Sequence, residues 1–289
     1  MGKLLQTKEL AALMSDSVKS ETEKWKARGV QPTLATVIVR GDPASEVYAR
    51  VKERLARKLG IAFRNISFEA DVTEQRLLEE IGKLNADPDI HGIMLELPVP
   101  EHIRSGKLAD AIVPVKDVDG LSAQNKLACL LGEEGLYPAT PQSCIRIAKH
   151  FGIPLQGKNV VLIGRGATVG RPLLQLLLRE NATVTVCHSH TEDLAVHIAR
   201  ADLLITAAGK AGLVTADMVH PELTVIDAGI NEIPEGIVGD VAPDVAEAVR
   251  AMTPVPGGVG TLTTVILFEN LMKALGFQYL ERGGRNERL

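Results

Sequence analysis

Hydrophobic positions along the chain alternate between two spacings. Residues 10–25 carry apolar side chains three and four apart, which predicts an amphipathic helix, and TLATVIV at Thr33–Val39 is a short β-branched run that predicts a buried strand. Gly41, Asp42 and Pro43 break that strand, and Ser45 is the expected cap of a helix running to Leu59. A weaker strand over 61–66, a helix over 73–85 and a strand over 92–97, stopped by Pro98 and Pro100, continue the rhythm. Residues 113–125 are polar, rich in Asp and expected to be irregular. YPATP at 137–141 reads as a turn, with Thr140 capping a helix that leads to His150. Gly152 and Pro154 then mark a domain boundary.

The second half repeats the pattern more sharply. Strands are expected at Asn159–Ile163, Thr183–Cys187, 203–207 and Thr224–Asp227, mostly separated by helices, which implies a parallel sheet covered on both faces. TPVPGGVG at 253–260 is a rigid, then permissive loop, and a helix follows from Thr261. The expected fold is α/β in two domains. An N-terminal α/β domain (1–147) is completed by a C-terminal helix (261–289) packing back on it, and a Rossmann-like, doubly wound parallel-sheet domain occupies 148–260.

The segment NVVLIGRGATVGRP carries the most local chemistry. A β-branched run feeds Gly164, Gly166 and Gly170, and a helix follows. Glycines at these places permit a tight turn, close approach to a phosphate and close helix–sheet packing, while the helix start offers unpaired N–H groups to a pyrophosphate. A glycine turn with no ligand is the alternative, and the βα units on both sides weigh against it. NAD binders carry an acidic residue about 20 positions on for the ribose hydroxyl. Here the next strand ends in CHSH with no carboxylate, and Arg165 and Ser189 could meet a 2′-phosphate, so NADP is expected. Arg165 as a solvated turn residue is the other reading.

Composition narrows the class. The chain has 289 residues, 45% hydrophobic and 24% charged, with a net charge of −4 spread along its length, which argues against a general nucleic-acid or anionic-membrane binder. No apolar run reaches spanning length, and the N-terminus does not read as a signal peptide. Three scattered cysteines without CxxC spacing fit a reducing compartment, so a cytoplasmic location is expected. His188 and His190 lack a third ligand nearby, and no metal site is expected.

In SEVYARVK, Tyr48 and Lys52 are four apart and share a helix face. A phenol beside an ammonium can serve as an acid/base pair; a tyrosine stacked on a lysine stem has the same spacing. A Tyr-x-x-x-Lys pair also occurs in short-chain dehydrogenases, but there the glycine turn precedes it, and here it follows.

PASEVYARVK, GIMLELPVP, KDVDG, GRGATVGRP, TVCHSHT, VIDAGIN, VGDV and TPVPGGVG occur in this order along nearly the whole chain. In this the sequence resembles the FolD family of methylenetetrahydrofolate dehydrogenase/cyclohydrolases. The resemblance implies a folate-binding first domain and an NADP-binding second domain. It also implies hydride transfer from 5,10-methylene-tetrahydrofolate to NADP, hydrolysis of the methenyl product to 10-formyl-tetrahydrofolate, and a homodimer. Residue by residue, Tyr48 matches the tyrosine that stacks on the folate, Lys52 the catalytic lysine and Asp119 the carboxylate holding the pterin N–H groups. Asp117 is read as the cap of a local turn. Leu95, Glu96 and Leu97 are expected at the substrate, with Glu96 also in the catalytic group, and Pro256, Gly257, Gly258, Val259 and Gly260 match the loop lining the folate and nicotinamide. Ile230 and Thr140 match cofactor-contacting positions, although a core isoleucine and a simple helix cap would look the same.

Several positions depart from the family pattern. Glu96 stands where members typically carry Gln, beside the catalytic lysine. A carboxylate there favours the charged ammonium, whereas a proton-shuttling lysine must also lose its proton. Gly166 replaces a frequent Ser, Ala139 a common Cys, Ser143 a common Gly, and Thr261-Leu262 a Pro-Met pair. Three readings follow: the bifunctional enzyme, a dehydrogenase with weak cyclohydrolase, and a non-catalytic folate- or dinucleotide-binding paralogue. Retention of Tyr48, Lys52 and Asp119 argues against the third.

Overall fold

The computed structural model describes residues 2–41, 43–234 and 236–286, and the side chains of these except 43–48 and 281–286. In chain order the strands are β1 (Lys3–Leu4), β2 (Thr33–Val39), β3 (Ala62–Phe68), β4 (Gly92–Leu95), β5 (Asn159–Ile163), β6 (Thr183–Cys187), β7 (Leu203–Thr206), β8 (Thr224–Asp227), β9 (Asn231–Ile233), β10 (Gly236–Val238) and β11 (Ala251–Met252). They belong to two compact units, one formed by residues 13–137 with 267–289 and the other by 1–12 with 138–266.

The first unit is built on a parallel three-stranded sheet in the order β3-β2-β4. β2 is central and almost wholly buried, which is why its sequence is a continuous apolar run; β3 lies at the edge with none of its residues fully buried, which explains its weaker pattern. Ala35, Val37 and Val39 pack with Leu77, Ile81 and Leu84 of the helix Glu74–Ala86 and Leu108 of the helix Ser105–Ala111. Thr73 caps the first of these helices, its hydroxyl accepting from the Arg76 N–H at 3.2 Å. On the opposite face, a Cβ added to Gly92 would lie 2.7 Å from Leu271 of the helix Val259–Asn286. Asn270 Nδ2 of that helix donates to the carbonyls of Val118 and Tyr137 at 2.8 and 2.9 Å. The expected return of the C-terminal helix onto the first domain is therefore present. Phe268, Leu271 and Leu275 are fully buried along it, and each such side chain contributes about 1.5–3 kcal/mol.

The second unit holds a six-stranded, all-parallel sheet in the order β1-β11-β8-β7-β5-β6. The chain passes from β5 outward to β6 and then returns past β5 to β7, so its direction of winding reverses between β5 and β7. In open parallel sheets ligands bind beyond the strand ends at such a reversal. Val161, Ile163, Leu204 and Val225 form one packed face with Ile198, Leu223 and Val245. The helix Gly170–Arg179 packs on β5 and β6, and the helix Ala139–His150 packs on that helix.

Several elements differ from expectation. The division falls at Pro138 and not after residue 147, because the helix Ala139–His150 packs on the six-stranded unit with Cys144 and Ile147 fully buried. The first residues also join that unit, through β1 pairing with β11. A two-residue strand has no sequence period, and its partner lies about 250 positions away. Thr140 is not the cap: Pro138 holds that position and Thr140 sits in the first helical turn. Strand β4 ends at Leu95, and the C-terminal helix begins at Val259, two residues before Thr261. The segment expected to be irregular contains a short 3-10 turn, Pro114–Lys116, and the start of a helix, Ala123–Leu131, capped by Ser122. The helix following β2 begins at Pro43, and Ser45 as its cap lies outside the described side chains.

Candidate active site

In the three-stranded unit the helix Pro43–Lys58 presents Lys52 to the residue just past β4. Lys52 Nζ lies 2.7 Å from both carboxylate oxygens of Glu96. The two side chains are only 12% and 5% exposed, so removing either partner strands a buried charge, at about 3–5 kcal/mol. The Glu96 N–H donates to the Val37 carbonyl at 2.9 Å, which fixes the carboxylate at the sheet end. Strand alternation turns Leu95 and Leu97 to the other face, where both pack into the core with Ile93 and Val37. The Tyr48 side chain lies outside the described residues; its backbone is one helical turn before Lys52.

KDVDG is held from both ends. The buried Lys116 Nζ donates to the carbonyls of Leu84, Asn85 and Asp87 at 3.1, 2.8 and 2.7 Å, where the end of the helix Glu74–Ala86 exposes unpaired acceptors and a negative dipole. Asp117 accepts from the N–H groups of Leu121 and Ser122 at 3.1 and 2.8 Å and from Asn125 Nδ2 at 2.9 Å, as a turn-bracing residue should. Asp119 follows two residues after Asp117. Burial pushes its carboxyl up to about 7, Lys52 pulls against that rise, and Asp117 and Glu96 add to it. Asp119, Lys52 and Glu96 therefore share one electrostatic environment.

In the six-stranded unit the glycine turn follows β5 directly. Gly164 has φ +116°, its N–H donates to the Cys187 carbonyl at 2.9 Å, and a Cβ on it would collide with the Ala207 carbonyl beyond β7. A Cβ on Gly170 would collide with the Gly164 carbonyl, whereas one on Gly166 would meet nothing within 4 Å. Two glycines thus close the turn and the third faces open space. No side chain caps the helix that begins at Gly170; the Arg171 N–H donates to the Gly166 carbonyl at 3.0 Å and Pro172 has none, so in its first turn the Gly170 N–H is the group left for an anion among the described contacts. This cradle fits a dinucleotide pyrophosphate. Arg165 and Ser189 are both exposed and follow the ends of the paired strands β5 and β6. The His190 N–H donates to His188 Nδ1 at 3.2 Å, and no group of three or more His, Cys, Asp or Glu suited to a metal occurs among the described residues.

Two carboxylates that sequence reading passed over shape the neighbouring loops. Asp227 accepts from Thr206 Oγ1 at 2.9 Å and from the N–H groups of Gly229, Asp240 and Val241 at 2.9, 3.1 and 3.0 Å. Asp240 accepts from the N–H groups of Ala208, Gly209 and Lys210 at 2.6, 3.2 and 2.9 Å and from Asn231 Nδ2 at 3.0 Å. They lie inside VIDAGIN and VGDV, so the motifs were visible while their bracing role was not. Ile230, held between these braces, is 49% exposed and is not a core residue. The loop 256–260 is fastened by Thr7, whose hydroxyl lies 3.0 and 2.8 Å from the carbonyl oxygens of Gly257 and Gly258. Thr140 and Ser143 converge on Thr263, at 3.4 and 3.2 Å between hydroxyl oxygens. The buried Cys144 thiol is pushed up to about 12, which removes it as a nucleophile at neutral pH.

A Rossmann-type unit with an open phosphate cradle, and a separate α/β unit presenting a buried lysine–carboxylate cluster, define a two-domain dinucleotide-dependent enzyme. The family model for the tetrahydrofolate dehydrogenase/cyclohydrolase catalytic domain matches residues 5–119, and that for the NAD(P)-binding domain of the same family matches 138–279. The chain belongs to this family. It is 49% identical over 282 residues to bifunctional protein FolD 2 of Desulfitobacterium hafniense, covering 97% of this chain and 99% of the relative. The bifunctional FolD enzyme of Campylobacter jejuni superposes with a TM-score of 0.92 at 38% identity, covering 96% of this chain and 100% of that one. The Trypanosoma brucei methylenetetrahydrofolate dehydrogenase-cyclohydrolase, solved with NADP cofactor and inhibitor, superposes at 0.91 with 31% identity and covers 96% and 98%. No helix among the described residues is long and apolar enough to cross a membrane.

Proposed function

We propose that the chain oxidises 5,10-methylene-tetrahydrofolate to 5,10-methenyl-tetrahydrofolate with NADP, then hydrolyses that product to 10-formyl-tetrahydrofolate. The observation that carries this reading is the buried pairing of Lys52 with Glu96, in a family member whose other unit has a glycine cradle. Bound NADP supplies the hydride acceptor. Gly164, Arg165, Gly166, Gly170 and Ser189 hold its phosphates, with Arg165 and Ser189 at the 2′-phosphate. Thr140, Ile230 and the loop 256–260 line the nicotinamide end. Asp119 accepts from the pterin N–H groups, a match for two parallel donors. Tyr48 stacks on the folate.

Hydride departure leaves a cationic methenyl carbon, and the fixed carboxylates near Lys52 favour that positive charge. In the hydrolytic step the water oxygen bonds to the methenyl carbon as Lys52 handles one water proton, which is released; the bond from that carbon to N5 then breaks, the second water proton passing to N5 as the formyl C=O forms. The ion pair also favours a second reading, in which Glu96 slows this proton step by engaging the lysine nitrogen with its carboxylate.

The assay supplies methylene-tetrahydrofolate with NADP or NAD and follows NAD(P)H and methenyl decay separately. NADPH formation with methenyl consumption is expected, and methenyl consumption falls at least about a hundredfold in Lys52→Met. Absence of reduced cofactor with either dinucleotide overturns the proposal. An unchanged methenyl hydrolysis rate in Glu96→Gln overturns the second reading alone. A homodimer in the cytoplasm completes the proposal; light scattering on the purified chain tests the first part and fractionation of producing cells the second.

A further inference from the structure

Strands β5, β7 and β8 end side by side: Ile163 is in register with Thr206, and Thr206 with Asp227. The glycine turn therefore stands next to the turn after β7, and that turn next to the one after β8, at the reversal of winding where a parallel sheet takes its ligand. Asp240, fully buried, links the last two turns. Its Oδ2 accepts from the N–H groups of Ala208 and Gly209 at 2.6 and 3.2 Å, and its Oδ1 from the Lys210 N–H at 2.9 Å and from Asn231 Nδ2 at 3.0 Å. The successive N–H groups around Gly209, whose φ is +65°, form an anion nest that the chain fills with its own carboxylate. With its N–H groups so used, the turn after β7 offers a wall and no phosphate site. That wall touches the cradle, since a Cβ on Gly164 would lie 3.1 Å from the Ala208 nitrogen. Asp240 also grips Ile230 from both sides: a Cβ on Gly229 would collide with its carboxyl, and Asn231 is bonded to it.

We propose that Asp240 is a positioning residue for the nicotinamide half of the cofactor: it fixes the turn after β7 against the glycine turn and, through Gly229 and Asn231, sets where Ile230 stands. The inference rests on the dinucleotide reading given above, in which Ile230 lines the nicotinamide end and Arg165 and Ser189 meet the 2′-phosphate. Ser189 follows β6, whereas the turns held by Asp240 follow β7 and β8, on the other side of β5 in the sheet. Loosening Asp240 therefore costs the nicotinamide half and spares the adenosine half. Asparagine at 240 keeps the shape but offers one acceptor oxygen, so one pair of donors meets an NH2 group instead.

The test is calorimetric titration of NADP, and of adenosine 2′,5′-bisphosphate, which lacks the nicotinamide half, into the wild-type chain, Asp240→Asn and Asn231→Ala, with melting curves to establish folding. In Asp240→Asn the Kd for NADP should rise at least about tenfold, as loss of bonds to a charged acceptor demands, while that for the bisphosphate stays within about twofold of wild type. Asn231→Ala removes one bond and leaves the nest intact; it should weaken NADP about threefold, again with the bisphosphate unaffected. Equal weakening of the two ligands, or an unchanged Kd for NADP, in either folded variant overturns the proposal and leaves the cofactor reading intact. A wild-type chain that binds neither ligand overturns the cofactor reading and this proposal with it.

Discussion

Asp119→Asn should stabilise the protein in the absence of substrate, and by an amount that grows with pH. Burial raises the carboxyl from an ordinary 3.8 to about 7, so the folded chain holds this proton more tightly than the unfolded chain does. Between those two values the native state binds more protons, and wild-type stability must fall as pH rises through that window, then level off above it. At about 1.4 kcal/mol per tenfold change in proton affinity, the full loss is about 4 kcal/mol. The side chain is only partly buried, and solvent screening reduces the expected figure to about 2–3 kcal/mol. Asparagine has nearly the same shape and no proton to lose, so it avoids the penalty. Urea denaturation of wild type and variant at about pH 4.5 and pH 8 isolates the effect, because other titrating groups cancel in the difference. The gain should be small at the lower pH and about 2–3 kcal/mol at the higher. A variant no more stable than wild type at pH 8, or one equally stabilised at both, would refute the electrostatic account of this site. Tetrahydrofolate binding should weaken in the same variant, because the residue strained in the free protein is the one proposed to receive the pterin.

Gly170→Ala should collide with the Gly164 carbonyl and lose dinucleotide binding, while Gly166→Ser, whose Cβ meets nothing within 4 Å, should fold normally and tighten NADP relative to NAD; cofactor titration and melting curves check both. Lys116→Met removes the only donor reaching three carbonyls at 3.1, 2.8 and 2.7 Å among the described contacts of that side chain. It should cost about 2–4 kcal/mol in urea denaturation. Thr7→Val deletes the hydroxyl at 3.0 and 2.8 Å from the Gly257 and Gly258 carbonyls. It should raise KM for the folate more than it lowers kcat, since it loosens a proposed lining loop and no reacting group.

The central elements were legible because they are dictated locally. Thr33–Val39 is apolar throughout since both faces of β2 are covered, and Asn159–Ile163 feeding Gly164 announces a parallel strand and its turn. Asp117 was also readable, since its bonds reach only to residues 121, 122 and 125. What the sequence hid was long-range. β1 contributes two residues to an edge, and nothing in KLLQT signals that it pairs with β11. Leu95 and Leu97 flank Glu96 in the motif, yet the two-residue period of a strand sends them to the opposite face. Thr140 looked like a cap because Pro138 was read as part of a turn and not as the residue that starts the helix. The direct pairing of Lys52 with Glu96 across 44 positions followed from the family resemblance, and its two-oxygen geometry only from the fold.

The N-terminal strand has a consequence for how the protein is made. The six-stranded unit needs residues 1–12 together with a stretch ending at 266, and the other unit needs 13–137 together with 267–289. Each is therefore completed only by chain synthesised long after its first residues. The unit holding 13–137 cannot finish folding until the whole of the other, through residue 266, has been made, although domains ordinarily fold one after another as the N-terminal one leaves the ribosome. No single cut of the gene yields an intact unit: a break at 137 deprives one of its first strand and the other of its last helix. The two halves of the chemistry are tied into one polypeptide by interleaving.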